Sequence, residues 1–332
     1  MKERDKHRDT SLQDKRQFES VLIGTSLTLE SNEVVRSALA VTRALGARVR
    51  LIHVLSVEPI AYGFDGVFAP DILETLKEQE EANLADQIRE TGVFDRELIS
   101  ADIVMGAPHQ ALALAARSTG ADLIIVGAAE GHGPTARLLG STADRVIRSA
   151  HCPVLILRNG LSLPPPRVLA PVDLSRTSGL AVETGTRFLK QMGADESTAI
   201  EALFVLSPIQ RQMASQFSPE QIDRMAKEEL LRFTFEHTES WDGTIETKVR
   251  VGEARHQLLK NLEEDPVDLI VVGSHGHGTL RRALIGSVAG RLAHRASCSV
   301  LFVPHEEEAS MVEESGVEFG RDASSVSRAR PS

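Results

Sequence analysis

LIVVGSHGHGTLRRALIGS, from Leu269 to Ser287, reads as a buried strand, a glycine-rich turn and a helix start, and LIIVGAAEGHGPTARLLGS, from Leu123 to Ser141, is another version of it. Gly286 set against Gly140 gives an offset of 286 − 140 = 146 residues, and the same offset carries Gly273 onto Gly127, Gly252 onto Gly106 and Cys298 onto Cys152. The chain is one unit written twice. Positions where the two copies disagree then indicate which of them keeps a function.

Length agrees with the repeat. A chain of 332 residues, at about 150 per domain, predicts two domains with short tails. Hydrophobic residues at 42% and charged ones at 25% are globular values, so each copy is expected to bury a core of its own. The formal charge, 37 − 47 = −10, repels nucleic acid and anionic lipid, which makes both poor partners. A local nucleotide site remains compatible with it, because backbone amides act at short range. Cys152 and Cys298 precede apolar runs and read as small core residues of a reducing compartment. No signal-peptide stretch and no run near ~18 apolar residues is found, so a soluble, cytoplasmic protein is expected. Residues 1–18 and 305–332 are too polar to offset their ordering entropy and are expected to be disordered tails.

Five β-rich runs occur in the first copy (SVLIG, VRLIHVL, ADIVM, LIIVG and PVLIL), and the second repeats them as RVLAPV, AIEALFVL, ETKVRV, LIVVG and SVLFV. Helical patterns lie between them, at 33–45, 71–90, 109–118 and 142–149, then 179–191, 219–239, 255–263 and 288–296. Apolar strands spaced by amphipathic helices predict two tandem doubly wound α/β domains, 19–158 and 167–304, each a five-stranded parallel sheet flanked by helices. NGLSLPPP, residues 159–166, is the linker. The fifth strands would lie at sheet edges, where unpaired backbone invites another strand.

Ligands of doubly wound sheets sit beyond the carboxyl ends of the strands, where the connections switch sides. Gly273 to Gly278 occupies the turn after the fourth strand of the second copy, where glycines let backbone amides approach an oxyanion. Ser287 can cap the next helix, whose N-terminus favours negative charge. Asp173 and Ser175 follow the first strand at the same edge. They either accept hydrogen bonds from a ribose or adenine, or cap the following helix; both readings stand.

Gly, two residues, Gly, nine residues, Gly-Ser, with Asp after the first strand, resembles the ATP-binding members of the universal stress protein family, over nearly everything between Glu19 and Pro304. The resemblance implies that Pro171, Val172, Asp173 and Val205 hold the adenosine and that Val251 and Gly252 border the adenine. It implies also that Gly273, Ser274, His275, Gly276 and His277 wrap the phosphates and ribose, closed by Gly286, Ser287 and Val288. The cofactor would be ATP with Mg. The family's fifth-strand edge mediates dimerisation, which the two copies can satisfy internally, and a homodimer of whole chains is also expected.

The first copy departs from the pattern twice, with Ser26 for Asp173 and Glu130 for Gly276. A carboxylate ~4 Å from a phosphate charge costs about 4 kcal/mol at an effective dielectric of ~20, so the first copy is expected to refuse ATP unless Gly131 and Gly133, shifted by one residue, rebuild the loop. Gly140-Ser141 survives there, with Asp144 three residues on, as a capping box would have it. His275 and His277 lack a third ligand for a metal, and of Arg281 and Arg282 at most one can reach a phosphate. No GxSxG elbow, Walker loop or supported carboxylate pair is present, so no catalytic residue is assigned. The long helix of each copy is either a solvated cover or a mobile lid and partner surface. The chain therefore reads as an ATP-binding regulatory stress-response protein, with a nucleotide-independent adaptor for a client protein and a weak ATP hydrolase as the alternatives.

Overall fold

Apolar side chains on both faces of a strand demand cover on both sides, and two helix layers supply it. The computed structural model describes residues 18–56, 70–91, 99–128, 139–158, 160–238, 241–274 and 285–305. The first repeat carries β1 (Ser20–Thr25), α1 (Leu29–Leu45), β2 (Arg48–Leu55), α2 (Pro70–Glu90), β3 (Ile99–Met105), α3 (Pro108–Thr119), β4 (Leu123–Gly127), α4 (Ser141–Ser149) and β5 (Val154–Leu157). The second carries β6 (Arg167–Val172), α5 (Arg176–Gln191), β7 (Ala199–Leu206), α6 (Pro208–Met213), α7 (Pro219–Glu236), β8 (Ile245–Val251), α8 (Ala254–Glu264), β9 (Leu269–Gly273), α9 (Ser287–Arg295) and β10 (Ser299–Val303).

All ten strands form one sheet in the order β3-β2-β1-β4-β5-β10-β9-β6-β7-β8. Each repeat is parallel throughout, and the repeats join through an antiparallel β5–β10 pair in the register Val154↔Phe302, Leu155↔Leu301, Ile156↔Val300. Because 301 − 155 = 146 is the repeat offset itself, Leu155 faces its own counterpart and a local two-fold axis passes through that pair. The junction is thus isologous, as in a two-fold dimer. Each fifth strand covers the exposed edge of the other.

Sharing an edge also merges the interiors. One face buries Leu22, Ile124, Leu112 and Val146 together with Ile270, Leu292 and Phe302; the opposite face buries Ile23, Val35 and Leu155 with Phe188, Val271 and Leu301. The expectation of a private core for each copy is corrected, since both cores run across the junction. Arg158, at the end of β5, is only 6% exposed and donates from Nη2 to the Ala293 carbonyl of α9, while Ser299 Oγ accepts from its backbone N–H at 3.1 Å. Burial lowers the pKa of this guanidinium.

The tails expected at 1–18 and 305–332 fall outside the described residues except at Phe18 and His305. Phe18 belongs to the core: it stacks edge-on against Phe188 at 5.3 Å and its N–H donates to Gln191 Oε1 at 2.9 Å. In the linker, Leu161 and Leu163 pack against the same core. Helix α1 starts four residues before the predicted Glu33 because Thr28 caps it, accepting from the Ser31 N–H, while Leu29 is 84% exposed and adds nothing to the apolar period. Burial pushes the Cys152 thiol up to about 12 and that of Cys298 to about 11, and both are free. No helix of the described residues is long and apolar enough to cross a membrane.

Candidate functional site

In each repeat the ladder at the switch point stops short. Pairing between β6 and β9 ends at Leu169↔Ile270, and between β1 and β4 at Ile23↔Ile125, so the carboxyl ends of both strand pairs part and open a crevice. Of the expected residues, the second-repeat crevice brings together those at the ends of β6 and β9 and at the start of α9. Pro171 and Val172 end β6, both buried, and Asp173 follows, half-buried. Gly273 and Ser274 leave β9 on the other side, both buried. Val205 on β7 and Val251 with Gly252 after β8 lie at the same edge but further out, β8 two strands from β6, which is about 10 Å. His275, Gly276 and His277 lie outside the described residues, as do Glu130, Arg281 and Arg282.

The two ends of the glycine turn meet. The Gly286 N–H donates to the Ser274 carbonyl at 2.8 Å, and the Ser274 N–H to the Val303 carbonyl at 2.8 Å, which pins the start of α9 beside the end of β9. Gly286, buried, is the N-cap, with no side-chain cap bond. Ser287 is therefore the first helical residue and not the cap expected from the sequence; the cap position lies one residue earlier and has no side chain. The first N–H to bond back into the helix is that of Gly290, to the Gly286 carbonyl at 2.8 Å. The amides of Ser287, Val288 and Ala289 precede it, and helix geometry gives such first-turn donors no intrahelical partner. No acidic residue lies in this first turn, which leaves the helix start favourable to an anion.

The equivalent terminus of the first repeat differs in charge. Gly140 is its N-cap, again without a side-chain bond, and Asp144 stands in the first turn. The capping box expected of Ser141 and Asp144 is not formed, because Asp144 turns along the helix to Arg148 Nε at 3.0 Å and faces His294 Nε2 of α9 at 3.6 Å.

Across the crevice the capping reading of Ser175 holds: its Oγ accepts from the Ser178 N–H at 3.2 Å. Asp173 Oδ1 in turn accepts from the Ser175 N–H at 3.1 Å and its hydroxyl at 2.5 Å. Leu174 between them has φ +65, and Leu27 at the same place in the first repeat has φ +59, a left-handed conformation that costs a leucine about 1–2 kcal/mol. Gly273 also gains a structural role. A Cβ there would stand 2.7 Å from Thr177 Cγ2 and 3.0 Å from the Thr177 carbonyl, so its bareness lets the first turn of α5 touch β9. That contact draws the Asp173 turn and the Ser274 turn together.

One pair of positions distinguishes the repeats more than the turn sequences do. Val172↔Phe204 in the second repeat and Thr25↔His53 in the first are the same register pair. Val172 and Phe204 are buried in an apolar cluster with Ile222, Leu230 and Phe233. Thr25 and His53 instead line a cavity of about 440 Å³ at the first repeat's switch point, with Val34, Ile52, Leu112 and Val126 among its walls. Sequence reading passed over His53; its signal is one imidazole in the otherwise apolar end of VRLIHVL. Among the described residues no group of three or more His, Cys, Asp or Glu side chains could hold a metal ion.

Known proteins resemble this chain. A universal stress protein of Methanocaldococcus jannaschii is 27% identical over 141 residues, 42% of this chain and 82% of that protein. One from Mycobacterium tuberculosis is 23% identical over 299 residues, 86% of this chain and 97% of its own. The crystal structure of a universal stress protein from Archaeoglobus fulgidus superposes with a TM-score of 0.60 at 19% identity, covering 87% of this chain and 99% of that one. The profile of the universal stress protein family matches residues 17–158 and again 166–304. With the repeat visible in sequence, sheet order and profile alike, the chain belongs to the universal stress protein family, as a tandem member.

Proposed function

We propose that the second repeat binds ATP and that its occupancy, rather than any chemistry on the nucleotide, is what the protein reports. The observation that carries this is the second-repeat crevice, where the uncapped start of α9, free of acidic residues in its first turn, stands beside Ser274 and opposite the Asp173 turn. Such a terminus supplies backbone donors to phosphate oxygens without requiring a lysine or arginine. The residues fit the nucleotide: Asp173 would take the ribose or adenine end, Gly286, Ser287 and Val288 the phosphates. Mg would enter with the phosphates. ATP then shifts a conformational or assembly equilibrium by its differential affinity for the two states. Two homologous crevices in one cytoplasmic chain, only the second charged correctly for ATP, make a sensor of adenine nucleotide that needs no catalytic base.

Titration of the full chain with Mg-ATP tests this, using Gly276→Glu and Glu130→Gly as reciprocal variants. Binding should be lost in the first and unchanged in the second. A second reading, an adaptor for a client protein, is favoured by α6, which follows β7 at the same edge and exposes Ile209 (71%) and Met213 (77%). Full client binding without nucleotide would support it.

A further inference from the structure

We propose that α2 of the first repeat is a releasable element, opening as a unit while the ten-stranded sheet stays folded, whereas its counterpart α7 is fixed. At the repeat offset Leu84 corresponds to Leu230 (230 − 84 = 146) and Gln87 to Phe233 (233 − 87 = 146). The two helices are seated differently. α7 buries Ile222, Ala226, Leu230, Phe233 and Thr234, and its apolar side chains join Val172, Phe204 and Leu206 in one cluster. Among the described side chains of α2 only Leu84 and Gln87 are buried, with Leu73, Leu76 and Ile88 half-buried. Burial of an apolar face is what holds an amphipathic helix in place. α2 has less of it.

Hydrogen bonds take the place of that packing. Gln87, 4% exposed, donates from Nε2 to Ser31 Oγ at 2.9 Å and to Asn32 Oδ1 at 2.7 Å, and its Oε1 accepts from Thr25 Oγ1 at 2.9 Å. Three residues on, Glu90 Oε2 accepts from Asn32 Nδ2 at 2.7 Å. Thr25 stands where the second repeat has Val172, as Gln87 stands where it has Phe233. Water replaces these hydrogen bonds when the helix lifts, so each opposes opening weakly, while lifting Phe233 would expose an aromatic ring. The helix ends repeat the contrast. α7 starts in the Ser218–Gln221 capping box and is tied at its end by His237 Nδ1, 2.6 Å from Glu183 Oε1 of α5. The ion pairs Lys77–Glu81 and Arg89–Asp86 of α2 join residues of that helix to one another. Local opening is the property of elements with few buried apolar contacts and replaceable hydrogen bonds. Opening would uncover Thr25 and Ser31, which line the first-repeat cavity, so the position of α2 sets how that cavity meets solvent.

Native-state hydrogen exchange of the full chain without nucleotide, read by mass spectrometry, tests this. Protection factors over 70–90 should lie at least tenfold below those over 219–236, and should stay nearly constant in sub-denaturing urea because a local opening exposes little surface. Gln87→Ala should lower protection over 70–90 at least threefold and leave β1 and β4 unchanged. Thr25→Val combined with Gln87→Phe, which copies the second repeat, should raise it at least tenfold. Equal protection of the two helices, or a loss in Gln87→Ala shared equally by β4, would overturn the proposal. So would a double variant that folds, by far-UV circular dichroism, without gaining protection over 70–90; if it does not fold, the other two measurements decide. No nucleotide enters any of them, so failure here leaves the ATP reading standing and failure of that reading leaves this one.

Discussion

Replacing Ser287 with proline removes one backbone donor from the second-repeat crevice while leaving the helix nearly untouched. Ser287 is the first helical residue, exposed, makes no cap bond, and its amide precedes the first intrahelical donor, Gly290. Proline is favoured at that position because its N–H is absent at no cost to the helix. The residue before a proline must be extended, and Gly286 already is, at φ −54 and ψ 147. Stability should therefore change by less than about 0.5 kcal/mol, as for surface substitutions away from special features. A hydrogen bond to a charged group is worth about 1.5–3 kcal/mol, so ATP should bind roughly ten- to a hundredfold more weakly. Isothermal titration with Mg-ATP reads the affinity, and a urea titration reads the stability. Ser141→Pro is the control, since Gly140 has the same extended backbone, φ −67 and ψ 153, in the first repeat. ATP affinity unchanged in Ser287→Pro, or lowered equally in Ser141→Pro, would refute the assignment of phosphates to the start of α9.

Gly276→Glu, copying Glu130, should weaken ATP about a thousandfold, from the roughly 4 kcal/mol of repulsion at ~4 Å, and equilibrium dialysis with Glu130→Gly alongside it checks the asymmetry. Gly273→Ala drives a Cβ to 2.7 Å from Thr177 Cγ2 and should cost about 1–3 kcal/mol as overpacking, seen as a lower urea midpoint with or without ATP. His151 has its pKa lowered, first by burial and then by the Arg117 charge, and its Nδ1 is buried with no hydrogen-bond partner among the described residues. The unfolded chain therefore takes up this proton first, so stability is full above an unfolded-state value of about 6.5 and falls as pH drops through it. His151→Ser, the residue of the second repeat at Ser297, should flatten the fall in urea midpoint between pH 7.5 and 5.5; an undiminished fall would clear His151 of the effect.

Strands were the legible part of this chain because burial on both faces leaves an unbroken apolar run, as in LIIVG and LIVVG. The junction was legible only as an edge that the two copies could share; that Leu155 meets Leu301 is set by the register of the pair. Helix starts were less so. The first turn of α1 carries no apolar period, and α6 was missed although Ser207 and Gln210 form a reciprocal capping box around Pro208. At the site, motif spacing left two structural roles unread. Gly273 is bare where Thr177 packs, and Gly286 rather than Ser287 caps α9, because contacts between distant elements leave no local signature in sequence. His53 was overlooked for the same reason: its partner, the Thr25 carbonyl, is known only once β1 and β2 are aligned.

The number of ATP molecules bound per chain tests the central claim most directly. Calorimetry on the wild-type protein with Mg-ATP should return one, lost on Gly276→Glu and retained on Glu130→Gly. Two equivalent sites, or none, would contradict it.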